Sequence, residues 1–410
     1  CLISSQKFYE LLNNNYYYLT FLLVFGKIEL YLWNDELQKS GKEDSMITVR
    51  TATSLDRKGY YELWKLCFGD SDRFCDWFFA NRFMPELSVC LETEGRIAAC
   101  MQAFPYLIRI RGKIVDGAML CGVCTHPSYR KRGFMGKIFT ENMQLLAKKG
   151  IAVAVHTPAE LPSYFSFGHY PVADANYFKC NIVSPCAMPD GVYSLTEETW
   201  EMAYPCYLSF ASAYSGIIWR TKEDFLRKCA DYASDGGCAM AYGKKNVEAY
   251  VFYYMTDSEI ICMEAVGESE ALKLVLQGVF AQAQEKSVTV KLAPEVQISF
   301  PFGITERQQK GVMGAANLKK LLQSLELSSN AAFWIEDSVV PDNNGCYTLD
   351  GAESNRPPAF RMAVGRFLPV LVGYASLEEQ RAFAEIYDEE GFQEIHEKLP
   401  KLSCYIIDEY

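Results

Sequence analysis

The chain has 410 residues, half of them apolar and 14% aromatic, with a formal net charge of −11. That length exceeds one ordinary core and predicts two or three domains, and the composition argues against a disordered chain. The acidic balance argues against nucleic acid as a general partner, and suits either a cationic small substrate or solubility alone.

The opening segment is apolar around YYYLTFLLVF, but Gly26, Lys27 and Glu29 interrupt it short of the ~20 residues that span a bilayer. It also lacks the basic start and small-residue cleavage site of a signal peptide, so no membrane partner is expected. Met46 opens ITVRTA, a predicted strand, and Leu63, Trp64, Cys67 and Phe68 fall within the helical stretch that follows. Residues 1–45 are therefore expected to be a dispensable extension, with Met46 as the functional start.

The fifteen cysteines fall inside apolar runs such as AMLCGVC and EIICMEA, where thiols act as small hydrophobes. Cys121 and Cys124 form one CxxC, with no second CxxC or His pair nearby to complete a zinc site. A buried strand is predicted there, no metal is expected, and the compartment is expected to be reducing, hence cytoplasmic.

GAMLCGVCTH reads as that buried strand, and HPSYRKRGFMGKIF follows it. Between Gly117 and Thr140 the only charged residues are Arg130, Lys131, Arg132 and Lys137, an imbalance that asks for an anionic partner. Met135, Ile138, Phe139, Met143 and Leu146 then recur at helical spacing, Gly150 suits the cap, and IAVAVHT reads as the next strand. Such a unit aims backbone N–H groups and a positive helix end at one point, which suits a pyrophosphate. A solvated helix start is the bland alternative. There is no GxxxxGK[ST], and no GxGxxG followed by an acidic residue ~20 positions on, so neither a P-loop nor a dinucleotide fold is indicated.

VCTHPSYRKRGFMGKIF resembles the acyl-CoA signature of GNAT-type N-acetyltransferases, with Arg130 and Gly133 in place and Met135 where Gly or Ala is usual. SYFSFGHYPV resembles that fold's Tyr-x-x-x-Gly pattern, on Tyr164 and Gly168 with Tyr170 following. Together with the chain length, these blocks resemble the Eis-like (enhanced intracellular survival) acetyltransferases. The resemblance implies an α+β fold of tandem GNAT domains, each a mixed sheet flanked by helices, then a C-terminal α+β domain of sterol-carrier-protein type. The expected divisions are 46–178 for the catalytic domain, 179–296 for a second GNAT-like domain without cofactor, and 297–410 for the last.

Residues read independently give the same order. VEAYVFYYM and EIICMEAVG are strand-like, ESEALKLVLQGVFAQAQE is helical and SVTVKLAP is again a strand. The turn there carries Gly267, Glu268 and Glu270 and no basic residue, which would repel a pyrophosphate. An unrelated α/β domain is the alternative. From about 297, VMGAANLKKLLQSLEL reads as helix, and AAFWIEDSVVPDNNGCYTL as two strands joined around Asn344-Gly345. MAVGRFLPVLVGY is apolar, and Ser376 with Glu379 makes a capping box for a following helix.

By the resemblance, Gly122, Val123 and Cys124 would hold the pantetheine arm of acetyl-CoA, the cosubstrate. The loop Arg130, Lys131, Arg132, Gly133, Phe134 and Met135 would hold its pyrophosphate, and Ala159 and Glu160 would also line it. Tyr164 would be the general acid; a phenol near pKa ~10 stays protonated at neutral pH, although a packing aromatic is the plain alternative. The base would be the terminal carboxylate, here on Tyr410, with His126, His156 and His169 as other candidates. A homo-oligomer, specifically a hexamer, is implied as well. The expected function is acetyl transfer to an amine of an aminoglycoside, polyamine or lysine. The competing reading is a non-catalytic protein that binds acyl-CoA or an apolar ligand.

Overall fold

A computed structural model describes residues 47–181, 186–283, 285–298, 300 and 303–410; the expected extension 1–45 and the start at Met46 lie outside these. The first sheet begins with strands β1 (Thr48–Thr51), β2 (Val89–Thr93), β3 (Arg96–Ile110) and β4 (Lys113–Thr125), antiparallel in turn, and β5 (Val153–His156) lies parallel to β4. Arg111 and Gly112, both at positive φ, make the two-residue turn between β3 and β4, the conformation that matches strand twist.

Helices α1 (Arg57–Phe68) and α2 (Asp72–Asn81) connect β1 to β2. Tyr60, Leu63 and Trp64 on α1, and Cys75, Phe78 and Phe79 on α2, recur at helical spacing and bury one stripe of each helix on the sheet. Gly69, at φ 74°, ends α1, and the Ser71 side chain accepts from the Phe74 N–H to start α2. Helix α3 (Phe134–Lys148) connects β4 to β5 across the opposite face, burying Ile138, Phe139, Met143 and Leu146. The predicted strand, loop, helix and strand are all present.

One expectation fails here. VMGAANLKKLLQSLEL is not one helix: Val312–Ala315 is a strand that pairs antiparallel with β5 and extends the first sheet. The helix is only Leu318–Leu325, because Asn317 caps it by accepting from the Lys320 N–H at 2.9 Å. Gly314 is required in that strand, since a Cβ there would lie 2.1 Å from His169 Nε2.

A seven-stranded second sheet holds Ala249–Met255, Glu259–Gly267 and Ser287–Leu292, with the helix Ser269–Phe280 joining the last two as a parallel pair. Asp174–Asn181 and Ile304–Gln309 complete one side of it, so the chain enters this sheet directly after the first domain's Tyr170–Pro171. Glu268 stands at the N-terminal boundary of the helix without a side-chain capping bond and Glu270 pairs with Lys273 at 2.7 Å, so the turn carries acidic groups as the sequence indicated.

The C-terminal segment builds a four-stranded sheet from Phe333–Glu336, Gly345–Tyr347, Phe360–Ala363 and Ala384–Ile386. The hairpin expected around Asn344-Gly345 is longer than two residues. Gly345 is itself in the second strand, and Asp337, Asn343 and Asn344 tie the loop with side-chain hydrogen bonds of 2.8–2.9 Å. The Ser376–Glu379 capping box is formed, but on the 3-10 turn Glu378–Phe383 rather than on an α-helix.

The tail returns between the first two sheets. Cys404 to Asp408 are buried, and Lys291 Nζ donates to the carbonyls of Ile406 and Ile407 at 3.2 and 3.1 Å. Asp408 pairs with Arg220, which forks onto Glu264, and Glu409 pairs with Lys291. Glu264 and Lys291 stand just past Cys262 and Val290, the last paired residues of the second domain's parallel strands. The tail therefore lies where those strands diverge.

Candidate active site

Strands β4 and β5 pair only over Gly117–Met119 with Val153–Val155. Because they are parallel, the segments that follow them leave the sheet on the same side, and the longer β4 runs on unpaired with β5 from Leu120 to Thr125. That divergence is where the expected cofactor residues gather. β4 carries a bulge opposite Met101: Cys100 faces Cys124, whereas Gln102 faces Cys121. Gly122 takes φ +59° at the bulge, and a Cβ there would lie 2.4 Å from the Trp64 ring, so the close approach needs glycine. Val123 is half-buried and Cys124 is buried, its sulfur 3.6 Å from that of Cys100.

The basic loop follows. Arg130, Lys131 and Arg132 are exposed, and Lys131 and Gly133 both take positive φ, which turns successive N–H groups to one side. Gly133 caps α3 without a side chain, so the first-turn N–H groups of Phe134, Met135 and Gly136 keep no side-chain partner from the cap. Among the described residues, none of Arg130, Lys131, Arg132 or Lys137 forms an ion pair. Arg132 lies over the Tyr129 ring at 5.2 Å, and Tyr129 is itself anchored to Glu94 at 2.7 Å. Arg130 Nε donates to the Thr125 carbonyl at 3.3 Å, and the charge of the loop faces solvent.

Ala159 and Glu160 are exposed just past the end of β5. Tyr164 follows on the 3-10 segment Leu161–Phe167, which Gly168 ends at φ 73°. Its ring packs edge-on against His156 at 4.4 Å between centroids and against Phe139 at 5.5 Å. Burial pushes its phenol up to about 12, so it holds its proton at neutral pH. The candidate bases His156 and His169 are buried and face each other at 3.2 Å; burial lowers both, His169 to about 3. They form a neutral pair behind Tyr164 and are poorly suited to take a proton. His126 is a local anchor whose Nδ1 accepts from the Ser128 N–H.

Tyr410 reaches the first sheet on the face opposite Tyr164: its ring lies 5.0 Å from that of Phe104 and its hydroxyl 3.3 Å from that of Tyr106, both on β3, whereas Tyr164 packs on the α3 side against Phe139. The Tyr410 hydroxyl donates to Asp231 and accepts from Arg82 at 3.0 Å, while Arg82 forks onto Asp231. Trp64, Asp70, Asp235, Glu409 and Tyr410 line a cleft between α1 and the second domain's helix Lys222–Ser234. Trp64 belongs to both places: its ring covers Gly122, and its Nε1 donates to Asp70 at 2.7 Å. Among the described residues neither Asp70 nor Asp235 is in an ion pair. Burial, and then the charge of Asp70, push Asp235 up to about 6. Sequence reasoning missed this cleft. Asp70 and Asp235 are far apart along the chain, and neither lies in a motif.

Residues 48–173 match the model of the acetyltransferase (GNAT) domain. No curated protein matches the chain. Among solved structures it is similar to a conserved protein of unknown function from Enterococcus faecalis V583, a probable N-acyltransferase, at 18% identity and a TM-score of 0.74, over 89% of this chain and all of that one (100%). A GCN5-related N-acetyltransferase from Anabaena variabilis is similar at 13% identity and TM-score 0.73, with 89% and 100% covered. Eis1 from Mycobacterium abscessus is similar at 11% identity and TM-score 0.67, with the same coverage of 89% and 100%. At such identities these likenesses establish the fold across both sheets and the C-terminal segment. The match over 48–173 makes that region a GNAT acetyltransferase domain and the chain an acyltransferase.

Proposed function

We propose that the first domain moves the acetyl group of acetyl-CoA to an amine of a cationic acceptor, such as a polyamine or aminoglycoside. We further propose that the chain is kin to the Eis-like branch, with divisions near 46–178, 179–296 and 297–410 and a C-terminal domain of sterol-carrier type, the first two strands of that last segment, Ile304–Gln309 and Val312–Ala315, being lent to the second and first sheets. The observation that carries the reading is the loop: cations with no acidic partner surround a helix start that has no side-chain cap. In this reading Gly122, Val123 and Cys124 hold the pantetheine arm, Arg130 to Met135 the pyrophosphate, and Ala159 and Glu160 the far wall. Tyr164 protonates the departing thiolate. The attacking amine enters from the cleft beside Tyr410 and leaves its proton on a carboxylate there.

Replacing Arg130 and Arg132 together with Ala is the direct test. Each charge-assisted contact to phosphate contributes about 1.5–3 kcal/mol, so the KM for acetyl-CoA is expected to rise at least about tenfold. Unchanged cofactor affinity by calorimetry would remove the phosphate role. Because the second domain's turn carries Glu268 and Glu270, and the tail lies at its diverging strands, one acetyl-CoA per chain is expected.

The acceptor side carries a pH signature. Asp235 binds a cation only when ionised, so with its pKa near about 6 the KM for a polyamine is expected to climb as pH falls from 7 to 5. Asp235→Asn should raise that KM at pH 8 and flatten the profile. The stability effect has the opposite sense. A folded-state pKa raised above the ordinary aspartate value favours folding at low pH and loses that contribution as pH rises through about 6. The Asn variant should therefore melt no lower than the parent at pH 8. A KM that ignores pH between 5 and 7 would contradict the assignment.

A further inference from the structure

Gln102 stands in the middle of β3, on the face that also carries Phe104 and Tyr106 and packs against α1 and α2. It is 1% exposed, and neither its Oε1 nor its Nε2 has a hydrogen-bond partner among the described residues. Leaving both ends of an amide buried and unpaired opposes folding, and the surrounding run AACMQAF would accept Leu or Met at this position without that penalty. The core does not need this polar group.

Its location supplies a reason for it. Gln102 is cross-strand to Cys121, at the point where β4 takes up its extra residue. The position a Cβ would occupy on Gly122 lies 3.2 Å from Gln102 Nε2 and 2.4 Å from the Trp64 ring. The amide nitrogen therefore lies against the main chain of the bulge at Gly122, beside the ring of Trp64, and Trp64 in turn lines the acceptor cleft. Acyl donor and amine would have to meet at this junction.

We propose that Gln102 is a catalytic residue of the transfer, its Nε2–H donating to the acyl oxygen as that oxygen becomes an oxyanion. The proposal rests on the acetyl-transfer reading above. The amine nitrogen forms a bond to the acyl carbon, and the carbonyl electron pair moves onto the oxygen facing Gln102. As the carbonyl reforms, the C–S bond breaks, the sulfur takes the Tyr164 proton, and the amine's surplus proton passes to a carboxylate of the cleft. A donor fixed in a dry setting is more effective here than water, because it needs no reorientation as charge develops.

The test compares Gln102→Leu and Gln102→Met with the parent enzyme in three measurements. Removing an unpaired buried amide should raise the melting temperature, whereas an amide held for structure would lower it. Acetyl-CoA affinity should change less than about threefold while kcat falls about 10²–10³-fold, the usual effect of losing one oxyanion donor. Infrared spectra of bound acetyl-CoA carrying a ¹³C carbonyl should show a shift to lower frequency in the parent that disappears in both variants. A kcat within twofold of the parent in a folded variant would overturn the proposal, as would a carbonyl band identical in parent and variants. Should the parent bind acetyl-CoA yet transfer to no amine, the activity reading fails by itself, and the infrared shift still decides the role of Gln102.

Discussion

Tyr164→Phe is expected to lower turnover by about 10²–10⁴-fold while acetyl-CoA binds almost as before, since general acid catalysis contributes on that order. Phe keeps the ring that packs against His156 and Phe139, so the local fold should persist. It removes only the hydroxyl, which makes no hydrogen bond among the described residues. Burial holds that phenol at about 12, well above neutral, so the proton is present whenever the thiolate departs. Stopped-flow thiol detection separates the two effects: the acetyl-CoA concentration dependence should be kept and the plateau rate lost. Near-normal turnover would return Tyr164 to packing, the plain alternative for a tyrosine in an aromatic-rich chain.

Arg220→Met is expected to cost about 3–5 kcal/mol of stability, because it leaves two carboxylates buried without a counter-charge. Arg220 is 1% exposed; Glu264 and Asp408, its partners at 2.7 and 3.1 Å, are fully buried. Burial alone would raise the Glu264 carboxyl, and the adjacent guanidinium outweighs it and holds the group below its usual value. Tyr250 adds a hydrogen bond to Glu264 at 2.6 Å, so the network joins the second sheet to the tail. Urea unfolding should show the loss, and adding Glu264→Gln and Asp408→Asn to the same chain should recover most of it, since the uncompensated charges are then gone. The tail should loosen in the single variant, and Tyr410 with it. A midpoint equal to the parent's would mean that water reaches the network.

The first domain was largely legible in the sequence because its signals are local. Arg130 to Gly133 are consecutive, and the apolar stripe of α3 needs only one helix to be seen. The strand Val312–Ala315 was not legible: four residues show no period, and their sheet partner β5 lies far back in the chain. Asn317 carried the missed signal, as a cap residue just before Leu318. The hairpin at Asn344-Gly345 misled in the opposite way, since the turn signal was real but hydrogen bonds of Asp337 within the connection, to Asn344 and Val339, set a longer loop. Cleft and amide are different in kind. Asp70 meets Asp235 only across the domain seam, and a single Gln in an apolar run acquires meaning only once its neighbours are known to leave it unpaired.

Acetyl-CoA turnover with a cationic acceptor tests the central claim most directly. Purified protein, acetyl-CoA and spermidine, or an aminoglycoside in a parallel reaction, are followed by thiol release, with the product identified by mass spectrometry. The expected result is acceptor-dependent thiol release with one or more amines acetylated, lost when Arg130 and Arg132 are both Ala. Tight binding of acetyl-CoA with no amine-dependent release from any cationic acceptor would contradict it.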